Sequence, residues 1–283
     1  MSSFAPSICL LFDNGSLRAA STLSLRETAK ALQPRIDVPV KAVSLLHSSG
    51  VSADQLGGVN AELVEPFLQR WAESGGQNVL LLPLFFGPSA ALTEYLPERL
   101  EAQRKKYPAV RVRLAAPLVQ AGDDSAALVA RAIHREVKGT VADHALTNPR
   151  VLLTDHGSPQ PAVAHVRDLI AGELGALVRD ENFSVRATSM ERRAGPDYAF
   201  NDPLLEQALA EIGASGGGDV VVALQFLQAG RHAGMAGDIA QICATAAEKY
   251  PRLRIKITKV IGRAPEVQEL LWRRWQAAIS SDA

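Results

Sequence analysis

The chain repeats itself. Ile8–Ser16 reads ICLLFDNGS, and Val151–Ser158 reads VLLTDHGS. Leu80–Phe86 (LLLPLFF) returns as Val220–Phe226 (VVVALQF), and Lys106–Leu118 (KYPAVRVRLAAPL) as Lys249–Gly262 (KYPRLRIKITKVIG). One shared tripeptide would be accident. Three matches in the same order, with an offset that stays near 140, indicate a duplicated unit. A chain of 283 residues holds two domains of ordinary size. The expected domains are 1–140 and 148–283, with the boundary in the polar stretch Lys138–Pro149.

Each copy alternates short apolar runs with amphipathic stretches. The strand candidates are Ile8–Phe12, Val38–Leu46, Val79–Phe86 and Val110–Leu114 in the first copy. In the second they are Val151–Thr154, Phe183–Ser189, Val220–Phe226 and Arg254–Val260. Runs this continuously rich in Val, Ile and Leu suit a parallel sheet covered on both faces. Val163, Val166, Ile170, Leu174 and Leu177 fall at helical spacing on one face. Asp202-Pro203 has the form of an N-cap followed by Pro at the first helical position. Trp272 and Trp275 belong to a final helix whose indoles are expected to pack on a sheet. Strand–helix alternation predicts an α/β fold: two tandem flavodoxin-like three-layer α/β/α domains, each with a four-stranded parallel sheet.

Composition narrows the partners. Thirty Lys and Arg balance thirty Asp and Glu, which excludes the broad cationic footprint of a nucleic-acid binder. No run approaches the ~18 apolar residues of a membrane span, and MSSFAPS lacks the basic and apolar regions of a signal peptide. Cys9 and Cys243 cannot build a disulfide framework and read as buried thiols of a reducing compartment. A cytoplasmic protein is expected. Neither DNGSLR nor DHGSPQ fits a phosphate-binding glycine loop, so no nucleotide cofactor is expected.

In open parallel sheets, ligands bind beyond the carboxyl ends of the strands, where strand order reverses. For the order 2-1-3-4 this lies between the first and third strands of each copy. In the second copy those strand ends carry Asp155-His156-Gly157-Ser158 and Gly230-Arg231-His232-Ala233-Gly234. The first copy has Asn14 opposite His156 and Leu92 opposite His232. One half therefore carries an imidazole pair and the other does not. The remaining histidines, His47, His134, His144 and His165, read mainly as loop or helix-surface residues.

These motifs resemble the sirohydrochlorin cobalt- and iron-chelatase family, the class II tetrapyrrole chelatases. The resemblance rests on LLTDHGSPQP (152–161), TSMERRAGPDYAFNDPLLE (188–206) and FLQAGRHAGMAGDI (226–239). It extends to the first copy as the same domain without the His pair, which makes a fused two-domain form. It implies a lyase of siroheme or cobalamin biosynthesis. Such an enzyme inserts a divalent metal substrate (Co²⁺, Fe²⁺ or Ni²⁺) into a sirohydrochlorin-type tetrapyrrole without nucleotide hydrolysis. His156 and His232 match the family's histidines for metal binding and proton removal.

Imidazole suits both tasks, as an intermediate ligand and as a base near neutral pH. Two protein ligands leave the metal free to depart, whereas a closed four-ligand site would trap it. Asp155 or Asp238 is expected to orient an imidazole through its second nitrogen, although a turn or helix-start role is open for each. Arg192, Arg193 and Arg231 are candidates for the substrate carboxylates. Tyr198 and Phe200 are candidates for covering the macrocycle. Ser158 either touches the substrate or caps a helix. A monomer with an internal pseudo-dimer is expected, with a homodimer as the alternative. The other class of function is a non-catalytic tetrapyrrole or metal carrier of the same fold.

Overall fold

The central apolar runs become strands because each can bury both faces of its residues under flanking helices, and the runs at the sheet edges pair beside them half-exposed. In the computed structural model, which describes residues 4–234 and 236–280, eight strands form two four-stranded sheets. The first sheet holds β1 (Ile8–Asp13), β2 (Val40–Ser44), β3 (Asn78–Pro83) and β4 (Arg111–Leu114), in the order β2-β1-β3-β4. The second holds β5 (Arg150–Asp155), β6 (Ser184–Ser189), β7 (Gly218–Leu224) and β8 (Leu253–Ile257), in the order β6-β5-β7-β8. Every pairing is parallel. The central strands are the most apolar: β1 is buried throughout, and Val220–Leu224 of β7 are buried likewise. The fold is thus α/β with two parallel four-stranded sheets. Several expected strands are shorter than their apolar runs. Val38–Leu46, for example, is strand only over Val40–Ser44, although the Leu45 and Leu46 N–H groups still bond to the Asp13 and Asn14 carbonyls at the end of β1.

Helices α1 (Ala19–Leu32), α2 (Val64–Glu73) and α3 (Leu96–Lys106) follow β1, β2 and β3. Helices α5 (Pro161–Leu177), α6 (Leu205–Ala214) and α7 (Asp238–Lys249) follow β5, β6 and β7. The helix after each sheet's last strand behaves differently. α4 (Ser125–Asp143) follows β4 yet packs on α5 and β7. α8 (Pro265–Ser280) follows β8, but its length from Val267 onward belongs with the first sheet. The two compact units are Met1–Gln120 with Val267–Ala283, and Ala121–Glu266. They therefore do not follow the expected boundaries at 140 and 148. Amphipathic faces require α4 and α8 to be buried, but their periodicity does not say against which sheet.

Buried polar groups hold α8 in the first unit. The Arg274 guanidinium donates to the carbonyls of Pro117 (2.9 Å) and Leu118 (2.7 Å). Arg113 donates to the Ala278 carbonyl at 2.7 Å. Trp275 is buried as expected, whereas Trp272 lies under the Arg35 guanidinium, 4.6 Å from its ring centre. α5 buries Val166, Ile170 and Leu174, but Leu177 is exposed, and the charged Arg167 is buried on the same stripe. The expected cap at Asp202-Pro203 is displaced. α6 starts at Leu205, and Asp202 instead accepts a bond from Arg192.

Candidate active site

β5 ends at Asp155 and delivers His156 to the carboxyl edge of the second sheet; the loop after β7 brings His232 to the same place. The two imidazoles meet edge to face, with ring centres 4.5 Å apart and planes at 75°. His232 Nδ1 lies 2.7 Å from Asp238 Oδ2, at the first turn of α7. A carboxylate there accepts a hydrogen bond, so Nδ1 carries the hydrogen and donates it. His156 Nδ1 lies 2.9 Å from the Gly157 carbonyl, which can only accept, so this nitrogen also carries its hydrogen. Both neutral rings are thereby left with the lone pair on Nε2. His156 Nε2 faces Glu191 Oε1 at 3.6 Å, beyond hydrogen-bond range. Among the described residues, no group of three or more His, Cys, Asp or Glu is arranged to hold a metal ion.

The turn beneath His156 is tightly specified. Gly157 has φ +89°, and a Cβ there would stand 1.8 Å from the Glu191 carbonyl oxygen. Its N–H donates to Asp155 Oδ1 at 3.0 Å. The same oxygen accepts the Ser189 hydroxyl at 2.6 Å, and Ser189 in turn accepts from Arg167 Nη1 at 2.6 Å. Burial pushes the Asp155 carboxyl above its ordinary value, against the opposing pull of Ser189 and Arg167. Asn201 closes the other side. It accepts from the Ser158 N–H and donates to the Ser158 and Tyr198 carbonyls.

Residues 150–278 match the CbiX family model. The C-terminal half belongs to the CbiX family. No match was found among curated proteins. The whole chain is similar in fold to SirB from Bacillus subtilis solved with Fe³⁺, at TM-score 0.72 and 17% identity, covering 98% of this chain and 96% of that one. SirB from Bacillus subtilis subspecies spizizenii in complex with cobalt gives 0.67 and 16%, over 97% and 96% of the two chains. CbiX described as the terminal enzyme for biosynthesis of siroheme in denitrifying bacteria gives 0.58 and 16%, over 97% and 100%.

Set beside the CbiX half, the N-terminal half keeps the scaffold and lacks the His pair. Asp13 bonds Ser44 and the Gly15 N–H as Asp155 bonds Ser189 and the Gly157 N–H. Gly15 has φ +87°, with its Cβ position 1.7 Å from the Leu46 oxygen. Asn14 and Leu46 therefore stand where the CbiX half has His156 and Glu191. Equivalent backbone bonds, from Leu84 to Phe12 and from Gln225 to Thr154, set an offset of 141 through β3 and β7. Beyond the strands the two halves diverge, with residues 91–95 helical and 231–233 in a turn, so no residue of the first half, Leu92 included, takes the place of His232 in the same local structure.

Within the CbiX domain the expected residues divide. His156, His232 and Asp238 converge. Asp155 does not touch either imidazole; its bonds are those of Asp13, so its place is in the turn. The Ser158 hydroxyl accepts the Gln160 N–H just before α5, in the manner of a helix-start residue. Arg192 is engaged with Asp202 and the carbonyls of Arg193 and Gly195. Arg193 stacks on Tyr198, 5.7 Å from its ring centre, and Tyr198 meets Phe200 edge to face. Arg231 is largely exposed, with Asp238 at 3.6 Å. Glu191, Arg167 and Asn201 were not singled out from the sequence. Glu191 was hidden in the charged run Glu191-Arg192-Arg193. Arg167 had a signal, because it lies on the apolar stripe of α5.

Proposed function

We propose that this chain is a metal chelatase that inserts a divalent ion, Co²⁺ or Fe²⁺, into a sirohydrochlorin-type tetrapyrrole. The observation that carries the reading is the contact of His156 with His232, each with its Nδ1 hydrogen-bonded, at the carboxyl ends of β5 and β7. Two imidazoles hold an ion of this class well enough to load it and loosely enough to release it, with water filling the remaining positions. Asp238 fixes the tautomer and direction of the His232 ring. As the ion passes to the four pyrrole nitrogens, two N–H protons must leave. His156 and the exposed Glu191 carboxylate beside it are the acceptors. The SirB structures with Fe³⁺ and cobalt support the metal class.

The substrate's carboxylates need cations that are exposed to solvent. Arg193 and Arg231 fit that role, with Tyr198 and Phe200 beneath the macrocycle; Arg192 instead shapes the loop that presents them. The test is anaerobic mixing of the protein with sirohydrochlorin and Co²⁺ or Fe²⁺, followed by visible absorption. Acceleration over the uncatalysed rate supports a chelatase. Pigment binding without acceleration supports a carrier.

A further inference from the structure

We propose that Arg167 is a positioning residue that sets the geometry of the His156 turn and of the Tyr198–Asn201 arch. Its place in catalysis rests on the chelatase reading; its effect on His156 does not. The side chain is 2% exposed, and all three of its nitrogens are used. Nε and Nη2 donate to Asp168 Oδ1, at 2.9 and 2.8 Å. Nη2 also donates to the Phe200 carbonyl at 2.9 Å, and Nη1 to the Asn201 carbonyl at 3.3 Å and Ser189 Oγ at 2.6 Å. Because Ser189 accepts from the guanidinium, its single hydrogen is free to point at Asp155. Donation runs from Arg167 through Ser189 to Asp155 Oδ1, and the Gly157 N–H, next to His156, donates to the same oxygen from the other side.

The duplicated half shows that the fold alone does not require this residue. Counting from Asp13 and Asp155, the counterpart of Arg167 is Leu25, which is equally buried, in a sheet of the same order. A hydrophobic residue in place of a buried charge is often neutral or stabilising. Holding the loop after the second strand does not require the inward position either. In the N-terminal half that task falls to the half-exposed Arg26, which donates to the carbonyls of Leu56, Val59 and Asn60. Arg26 is one position further along its helix than the counterpart of Arg167, and Asp13 has no arginine among its partners. What the inward arginine adds is the link from the arch to the turn that carries His156.

The test uses the full chain and the imidazole Cε1–Hε1 resonances. Arg167→Leu and Ser189→Ala should both move the His156 resonance of the metal-free protein, while His47 in the other half stays in place. Co²⁺ affinity should fall about tenfold in Arg167→Leu, with KM for the tetrapyrrole rising more than kcat falls. Arg167→Lys, which restores donors to Ser189 and one carbonyl, should recover part of each. Should Arg167→Leu not fold, Ser189→Ala decides. A folded variant whose His156 resonance and Co²⁺ affinity match the wild type overturns the proposal. Co²⁺ that moves neither His156 nor His232 in the wild type defeats the metal reading, while the metal-free spectrum still reports on Arg167.

Discussion

Asp238 Oδ2 lies 2.7 Å from His232 Nδ1, and this one contact decides which nitrogen of His232 is free for chemistry. The carboxylate stands at the start of α7, and its own N–H and that of Ile239 bond back to the carbonyls of Arg231 and His232. Gly237 permits the curl: a Cβ there would lie 2.6 Å from both of those carbonyl oxygens. Asp238→Ala should release the ring and weaken Co²⁺ binding by about 10–100-fold. Isothermal titration of the folded variant checks this. An unchanged affinity would remove Asp238 from the site.

The paired glycines separate stability from function. Gly15→Ala and Gly157→Ala each place a methyl against a carbonyl at positive φ, and each should cost at least about 2 kcal/mol in urea unfolding. Only Gly157→Ala should also reduce Co²⁺ affinity, because only that turn carries an imidazole.

The Asp13 carboxyl is pushed up from 3.8 to about 6, chiefly by burial, against bonds from Ser44 and the Gly15 N–H. Between these two values the folded chain keeps a proton that the unfolded chain has lost. Stability therefore falls as pH rises through that window and stays lower above it, by roughly 3 kcal/mol. Asp13→Asn should abolish this slope. The variant's stability relative to wild type should grow from pH 4 to pH 7 in denaturant melts, and a constant difference would contradict the assignment.

Arg274 ties α8 to the carbonyls of Pro117 and Leu118. Arg274→Met leaves buried acceptors without a donor and should lower stability by about 2 kcal/mol. Co²⁺ affinity should be unchanged, since the His pair belongs to the other compact unit.

The strands were legible because β1, β3, β5 and β7 are continuous apolar runs; strand–helix alternation implied parallel sheets, and the order found in both is the one common to such sheets. His156 and His232 were legible because glycines flank them and the duplicate lacks them. The exchange of α4 and α8 was not legible, since an amphipathic stripe demands a sheet without naming one. Asp202-Pro203 imitated a helix start, but Asp202 is spent on Arg192. Arg167 broke the apolar stripe of α5 visibly, yet its partners Ser189, Phe200 and Asn201 are 22 to 34 residues away in sequence. Only the fold brings them together.

The central claim is that His156 and His232 act as one metal-delivering unit. The most direct measurement is the rate of Co²⁺ insertion into sirohydrochlorin for the wild type, His156→Ala, His232→Ala and the double variant. If the pair works as a unit, each single substitution should remove most of the acceleration, and the double should be little worse than either. Full activity in both single variants, or losses that multiply independently in the double, would contradict it.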